Sequence, residues 1–310
     1  MQKIIRAFAP ATVANVACGF DVLGFALSTP GDIVTVRNSE KSGVDILNII
    51  GDDGKLPREA ARNTAGIAII SFLEALDIRE GVSVELDKQL PLCSGLGSSG
   101  ASAVAALVAV NKLFDNPLER VELLPFAVAA EKLACGAAHA DNVAPSLLGG
   151  FTLVRNVDLF DVVRLSYPEV LCCAVVHPHL NLATKDSRAA LPTQIDLADS
   201  VQQSANLGGL VHGLASGEFQ LIGRCLEDRI AEPNRKRLIP HFDEVKEAAL
   251  DSGALGCSLS GSGPSVFALC QSMEIAQSAG RAMKRIFIDN EIEADLFVSQ
   301  INKDGARLLP

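Results

Sequence analysis

The stretch Pro91-Leu-Cys-Ser-Gly-Leu-Gly-Ser-Ser-Gly-Ala-Ser102 decides how this chain is read: a glycine- and serine-rich turn runs directly into an alanine-rich apolar segment. Gly95, Gly97 and Gly100 remove side-chain bulk where another group can approach the backbone, and Ser98, Ser99 and Ser102 add hydroxyls. A helix beginning near Ser99 would aim unbonded N–H groups and a positive dipole end into the turn, as an anion site requires. The same residues also suit a structural loop followed by a capped helix. No lysine follows the glycines, so the Walker pattern G-x-x-x-x-G-K-[ST] is absent. The surroundings must choose between the two readings.

At 310 residues the chain is long enough for one large domain or, more naturally, two. A hydrophobic share of 48% against 21% charged residues is an ordinary globular mixture. With 27 basic and 37 acidic side chains the net charge is −10, and the densest basic stretch is only Arg235-Lys-Arg237. That balance argues against a nucleic-acid or anionic-membrane surface, so any nucleotide must enter a local pocket. The first residues lack the long apolar core of a signal peptide and read as a strand, and the apolar run from Ser99 to Val110 is too short to span a bilayer. Eight cysteines without a Cys-x-x-Cys pair sit mostly among apolar or small neighbours, which points to a reduced, cytoplasmic protein. Cys93, beside the glycine turn, could be exposed enough to react, although it reads first as a filler. His177 and His179 would face one side of an extended chain, but no third ligand lies within range, which argues against a metal there.

Strands are expected at 3–7, 31–37, 81–87, 148–154, 171–176, 255–259, 265–269 and 293–298, and helices at 63–76, 99–113, 200–215, 219–227, 242–250 and 274–287. A further helix over 118–133 is expected to break near Pro125. The pattern is that of an α+β protein with a mixed or antiparallel sheet, changing domain between Val157 and Leu171. A dinucleotide-binding fold would need its glycine turn straight after the first strand, where this chain has Ala9-Pro-Ala-Thr12.

Several polar constellations interrupt apolar sequence. Asn15 and Asp21 lie in the run Ala14–Gly24, where a carboxylate is costly unless paired; Asp21 suits an ammonium group or local backbone N–H groups. Glu131, among small apolar neighbours, must face solvent or serve a cation. His139, Asp141 and Asn142 crowd together after it, as ligands or as packed loop residues. Thr184 and Arg188 stand one helical turn apart, or on one side of an extended chain. Arg188 and Arg235 suit two-point grip of a carboxylate, or solvated surfaces. Ser260-Gly-Ser-Gly-Pro264 either buttresses the first turn or makes a tight hairpin. Together, two glycine turns suit a triphosphate, and an acid with a serine hydroxyl suits Mg²⁺. Arginines with an isolated Asp suit a zwitterion, so the set favours phosphoryl transfer to an amino-acid-like acceptor.

In these segments, and in their order, the chain resembles the GHMP small-molecule kinases. It is similar to the homoserine kinase family along essentially its whole length. Pro10 to Gly24, Pro91 to Ser102, His139-Ala-Asp-Asn-Val-Ala-Pro145, Ile230-Ala-Glu-Pro-Asn-Arg235 and Ser260 to Pro264 carry the resemblance. It implies transfer of the γ-phosphoryl group of ATP, with Mg²⁺, to the hydroxyl of L-homoserine, a step of threonine synthesis. The implied fold has an N-terminal domain over 1–165, with a left-handed β-α-β crossover, and a ferredoxin-like C-terminal domain over 166–310. The implied ATP motif comprises Pro91, Leu92, Cys93, Ser94, Gly95, Leu96, Gly97, Ser98, Ser99, Gly100 and Ala101, with Asn63 near the nucleotide. Ser99 and Glu131 match the Mg²⁺ ligands. Asn15, Asp21, His139 and Asn142 match the acceptor set, with Asp21 facing the ammonium. Arg188 and Arg235 match the carboxylate clamp, and Thr184 lies beside the reacting end. Asn142 stands where some relatives have an Asp base, so it orients rather than deprotonates, and Asp141 is expected to be structural. Many relatives are dimers, and no dimer face is marked in this sequence. A mevalonate-type relative would have little use for both Asp21 and the arginine pair. A regulatory protein on the same fold would have little use for Glu131 and the serine turn.

Overall fold

The computed structural model describes residues 3–136 and 139–310. Strands β1 (Ile4–Ala14) and β2 (Leu23–Ser39) form one long antiparallel hairpin, with a register shift between Pro10 and Thr12. Both strands run well past the expected short segments. The shift falls at Pro10, which has no N–H to give the ladder. From β2 the chain enters β3 (Val44–Ile50), α1 (Thr64–Ala75) and β4 (Gly81–Asp87). β3 and β4 pair in parallel, which makes this the β-α-β unit. Alternating Val34, Val36, Val82, Val84 and Leu86 turn inward from β2 and β4 and are buried.

Helices α2 (Ser98–Leu113), α3 (Leu124–Cys135) and α4 (Ala140–Leu148) follow, then the hairpin of β5 (Phe151–Asn156) and β6 (Asp161–Leu165). The expected interruption near Pro125 is present: a one-turn 3-10 segment at Arg120–Leu123 gives way to α3, and Pro125 occupies the first turn of α3, where its missing N–H costs nothing. α2 is buried on almost every side, against α1, α3, β1 and β2. Its small side chains let four neighbours approach a helix that is apolar nearly all round.

The second lobe holds β7 (Cys172–Pro178), α5 (Thr184–Ala189), α6 (Leu197–Ser216), α7 (Phe219–Cys225), α8 (Glu232–Arg235), α9 (Phe242–Asp251), β8 (Gly256–Leu259), β9 (Val266–Cys270), α10 (Met273–Asp289) and β10 (Ala294–Gln300). Its antiparallel sheet runs β10-β7-β9-β8, the fourth-first-third-second order of a ferredoxin-like domain. The chain then returns: β11 (Arg307–Leu309) adds to β1 at the edge of the first sheet. Among the described residues that sheet has seven strands, in the order β11-β1-β2-β4-β3 with β5 and β6 branching from β2. Phe25 of β2 stacks against Phe151 of β5 at 4.8 Å and Phe267 of β9 at 6.1 Å, so one core spans both lobes. No helix among the described residues is long and apolar enough to cross a membrane.

Candidate active site

Two turns and two helix starts meet between the lobes. Leaving β1, the backbone takes positive φ at Asn15 (70°), Val16 (42°), Ala17 (57°) and Asp21 (59°). Left-handed conformations of this kind cost about 1–2 kcal/mol per residue and persist only where the surroundings fix them. Asn15 does so: its Nδ2 donates to Gly261 O (2.8 Å) and its Oδ1 accepts from Asp21 N–H (3.0 Å). The sequence 260–264 is therefore a buttress. Ser260 Oγ donates to Gly95 O (2.7 Å), Ser265 N–H to Ser94 O (3.2 Å) and Gly261 N–H to Ala14 O (3.1 Å).

The glycines of the serine turn are explained by these approaches. A Cβ on Gly95 would stand 2.3 Å from Ser260 O, and one on Gly97 would stand 2.1 Å from Thr12 Oγ1. Both glycines also hold positive φ, 78° and 66°. Gly100, by contrast, faces Val143 of α4, where a Cβ would come within 3.3 Å of Cγ2; it serves helix packing. Leu96 and Ala101 are likewise turned into the core. Pro91 and Leu92 border a separate hollow of about 330 Å³ that also touches His177 and His179. There His177 Nδ1 lies 3.1 Å from Ser265 Oγ, and His179 Nε2 lies 2.9 Å from Asp295 Oδ2. Asn63 is the N-cap of α1: its Oδ1 accepts from Ala65 N–H and its Nδ2 donates to Pro57 O, both at 3.0 Å.

The main cleft collects the remaining expected residues. Cys93, Ser94, Gly95, Gly97, Ser98 and Ser99 form one wall, and Glu131, His139 and Asn142 the next. Asn15, Asp21, Thr184, Arg188 and Arg235 close the far end. Cys93 is exposed in this wall, so its reading as a filler is corrected; Cys18, Cys172, Cys173, Cys225, Cys257 and Cys270 are buried free thiols. Thr184 and Arg188 share one turn of α5, which settles their spacing as helical. Arg235 is buried and fixed by Nε to Ser187 O and Nη1 to Gly261 O, each 3.1 Å. Its helix α8 is anchored from behind by Asp228, which accepts three backbone N–H groups at its start, and by Glu232, bound to Lys246 and Ser258.

Charges at the far end are paired. Arg188 Nη1 contacts both Asp21 oxygens, at 3.0 and 2.6 Å, with both side chains partly exposed. The Phe20 ring lies 5.7 Å from the Arg188 guanidinium and 5.3 Å from that of Arg235, a cation–π support for both. His139 Nδ1 lies 3.3 Å from Glu131 Oε2, and that hydrogen bond raises the imidazole pKa. Asp141, expected to be structural, is buried and also borders the cleft. Burial, and then the Asp21 carboxylate, push the Asp141 pKa up to about 6. Sequence reading also missed Phe20, although it precedes Asp21, and Thr12, whose hydroxyl donates to Asn142 Oδ1 (2.8 Å) and fixes that amide.

The donor set fits a hard divalent ion. Glu131, Ser98 and Ser99 line the cleft, and among the described residues no three His, Cys, Asp or Glu side chains converge on one metal position. Such an incomplete oxygen set suits Mg²⁺, which keeps waters and takes phosphate oxygens.

Residues 63–150 match the N-terminal domain of GHMP kinases, and residues 210–289 match their C-terminal domain. The chain is 49% identical to a homoserine kinase from Chlorobium phaeovibrioides, covering 99% of this chain and all of that one. It is 55% identical to the crystal structure of homoserine kinase from Cytophaga hutchinsonii, with a TM-score of 0.97 over 99% of this chain and 97% of that one. L. major mevalonate kinase in complex with R-mevalonate shares the fold alone, at 16% identity and a TM-score of 0.71 over 95% of each chain. With both lobes matched and identity sustained from end to end, the chain belongs to the homoserine kinase family of GHMP kinases.

Proposed function

We propose that this protein transfers the γ-phosphoryl group of ATP to the side-chain hydroxyl of L-homoserine, in a division of labour set by the two ends of the cleft. One observation carries the reading. A serine turn at the start of α2 shares one cleft with a carboxylate and two arginines, the charges that complement an amino acid's own. The positive dipole end at the start of α2, with Ser98 and Ser99, receives the phosphates. Glu131 and a serine hydroxyl hold Mg²⁺, which when bound neutralises charge on the phosphates.

At the other end, Asp21 takes the acceptor's ammonium, and Arg188 and Arg235 take its carboxylate. Arg235 is already fixed, whereas Arg188 must exchange Asp21 for the substrate. Asn142, held by Thr12, orients the acceptor hydroxyl with Thr184 and His139 beside it. A carboxamide cannot accept the proton, which leaves to phosphate or water. A loose phosphoryl-transfer transition state gains most from positioning and charge neutralisation, so no strong base is required. The buried free thiols support a reducing, cytoplasmic location.

The test is ADP release with Mg-ATP and L-homoserine, beside mevalonate, galactose and L-serine as acceptors, with the product identified by phosphorus NMR. Homoserine-dependent formation of a phosphomonoester is expected. L-Serine, one methylene shorter, should be slower by roughly 10–200-fold. Equal turnover of mevalonate or galactose would overturn the reading.

A further inference from the structure

Beneath the serine turn lies an ion pair that does not reach the cleft. Lys88, just past the end of β4, and Asp32, in the middle of β2, are both buried and bonded to each other. Lys88 Nζ also donates to Ser98 O (2.9 Å), Ser98 Oγ (2.7 Å) and Ser102 Oγ (2.9 Å). Asp32 accepts from Ser102 Oγ (2.7 Å) and from the backbone N–H groups of Gln89 (3.1 Å) and Leu90 (3.2 Å). The Ser98 hydroxyl, bound by Lys88, turns its proton to Leu90 O (3.3 Å). Beyond the pair itself, every arm therefore ends on the start of the loop after β4 or on the first five residues of α2.

A buried ion pair is weak evidence for stability, because desolvation offsets the attraction. What this one supplies is position. It clamps both ends of the 88–98 loop and fixes the rotation of the Ser98 hydroxyl, which accepts from Lys88 and donates to Leu90 O. We propose that Lys88, with Asp32, is a positioning residue for phosphoryl transfer, acting through Ser98 on the geometry of the phosphate end and not on the acceptor end. The proposal rests on the reading of the serine turn as the ATP phosphate site.

The experiment compares the wild type with the double variant Lys88→Met/Asp32→Asn, which leaves no unpaired buried charge, and with Ser102→Ala, which removes one arm. Steady-state constants are measured separately for ATP and L-homoserine, alongside thermal melting. The expected result is a fall in kcat/KM for ATP of tenfold or more in the double variant and about threefold to fivefold in Ser102→Ala, with the KM for homoserine within twofold of wild type. Values within twofold of wild type for both substrates would overturn the proposal. So would equal losses on both substrates accompanied by a lowered Tm, the pattern of general loosening. If the double variant does not fold, Ser102→Ala decides by the same criteria. A wild type without homoserine-dependent turnover would sink the ATP-site reading and the proposal together, whereas an active wild type matched by its variants sinks the proposal alone.

Discussion

Two carboxylate–cation pairs serve the same cleft in opposite surroundings. Lys88 and Asp32 are sealed below the serine turn, with side-chain exposures of 1% and 0%, and every charge-bearing atom is engaged by protein. Asp21 and Arg188 are 38% and 48% exposed at the far end of the cleft, backed by one aromatic ring. Water cannot replace a partner in the first pair, so the geometry there is permanent. In the second pair water or a zwitterion can replace either partner at little cost, so the charges are available to a substrate. Burial, more than the identity of the ions, separates a fixed support from an exchangeable contact.

The contrast is open to direct attack. Lys88→Met should be the most damaging single change. It strands the Asp32 carboxylate in the core and should lower stability by about 3–5 kcal/mol in urea denaturation. Arg188→Met should leave the fold nearly intact, yet reduce kcat/KM for L-homoserine by about 10²-fold, the scale of one lost charged donor at an active site. Equal stability losses in the two variants would erase the distinction. Asp141 sharpens it, as a buried carboxyl that stands beside the Asp21 carboxylate. Its folded pKa of about 6 lies above the unfolded value of about 4, so the folded state holds the extra proton between those limits. Stability from this group therefore falls as pH rises from about 4 to about 6 and stays low above that. Asp141→Asn should remove the fall and stabilise the ligand-free protein at pH 7 by about 1–3 kcal/mol, with no gain below pH 4. The smallest effect is expected for the stability of Arg188→Met itself, within about 1 kcal/mol and shrinking further as salt is added.

What could be read without coordinates follows the range of the interactions involved. α2 was plain because glycine, serine and an alanine run are local signals, and β4 because Gly81–Asp87 alternates without interruption. β3 escaped notice: a bulge between Ile46 and Asn48 breaks its alternation, and Leu47 and Ile50 stay exposed on an edge strand. α4 was hidden by Pro145 inside it and by Gly149 and Gly150 after it, breakers that tertiary packing overrides. β11 has only three residues and forms only because β1 offers an open edge. At the site, chemistry-bearing motifs gave most of the cleft wall. Lys88 and Asp32 were not among them, since an isolated lysine reads as surface and its partner lies 56 residues away. Asn63, matched to the nucleotide by motif, also caps α1 through its Oδ1 and holds Pro57 O through its Nδ2, a structural duty that no local pattern announces.

The return of β11 to the first sheet has a mechanical consequence. A lobe tethered by one strand can swivel about any axis through the tether. Here the chain crosses between the lobes twice, from β6 to β7 and from β10 to β11, and Arg164 bridges the two crossings by donating to Lys303 O (2.7 Å). With these crossings, the core shared around Phe25 and Phe267 and the bond from Ser260 to Gly95, the lobes are held at several points that do not lie on one line, which is the condition for two bodies to keep one relative placement.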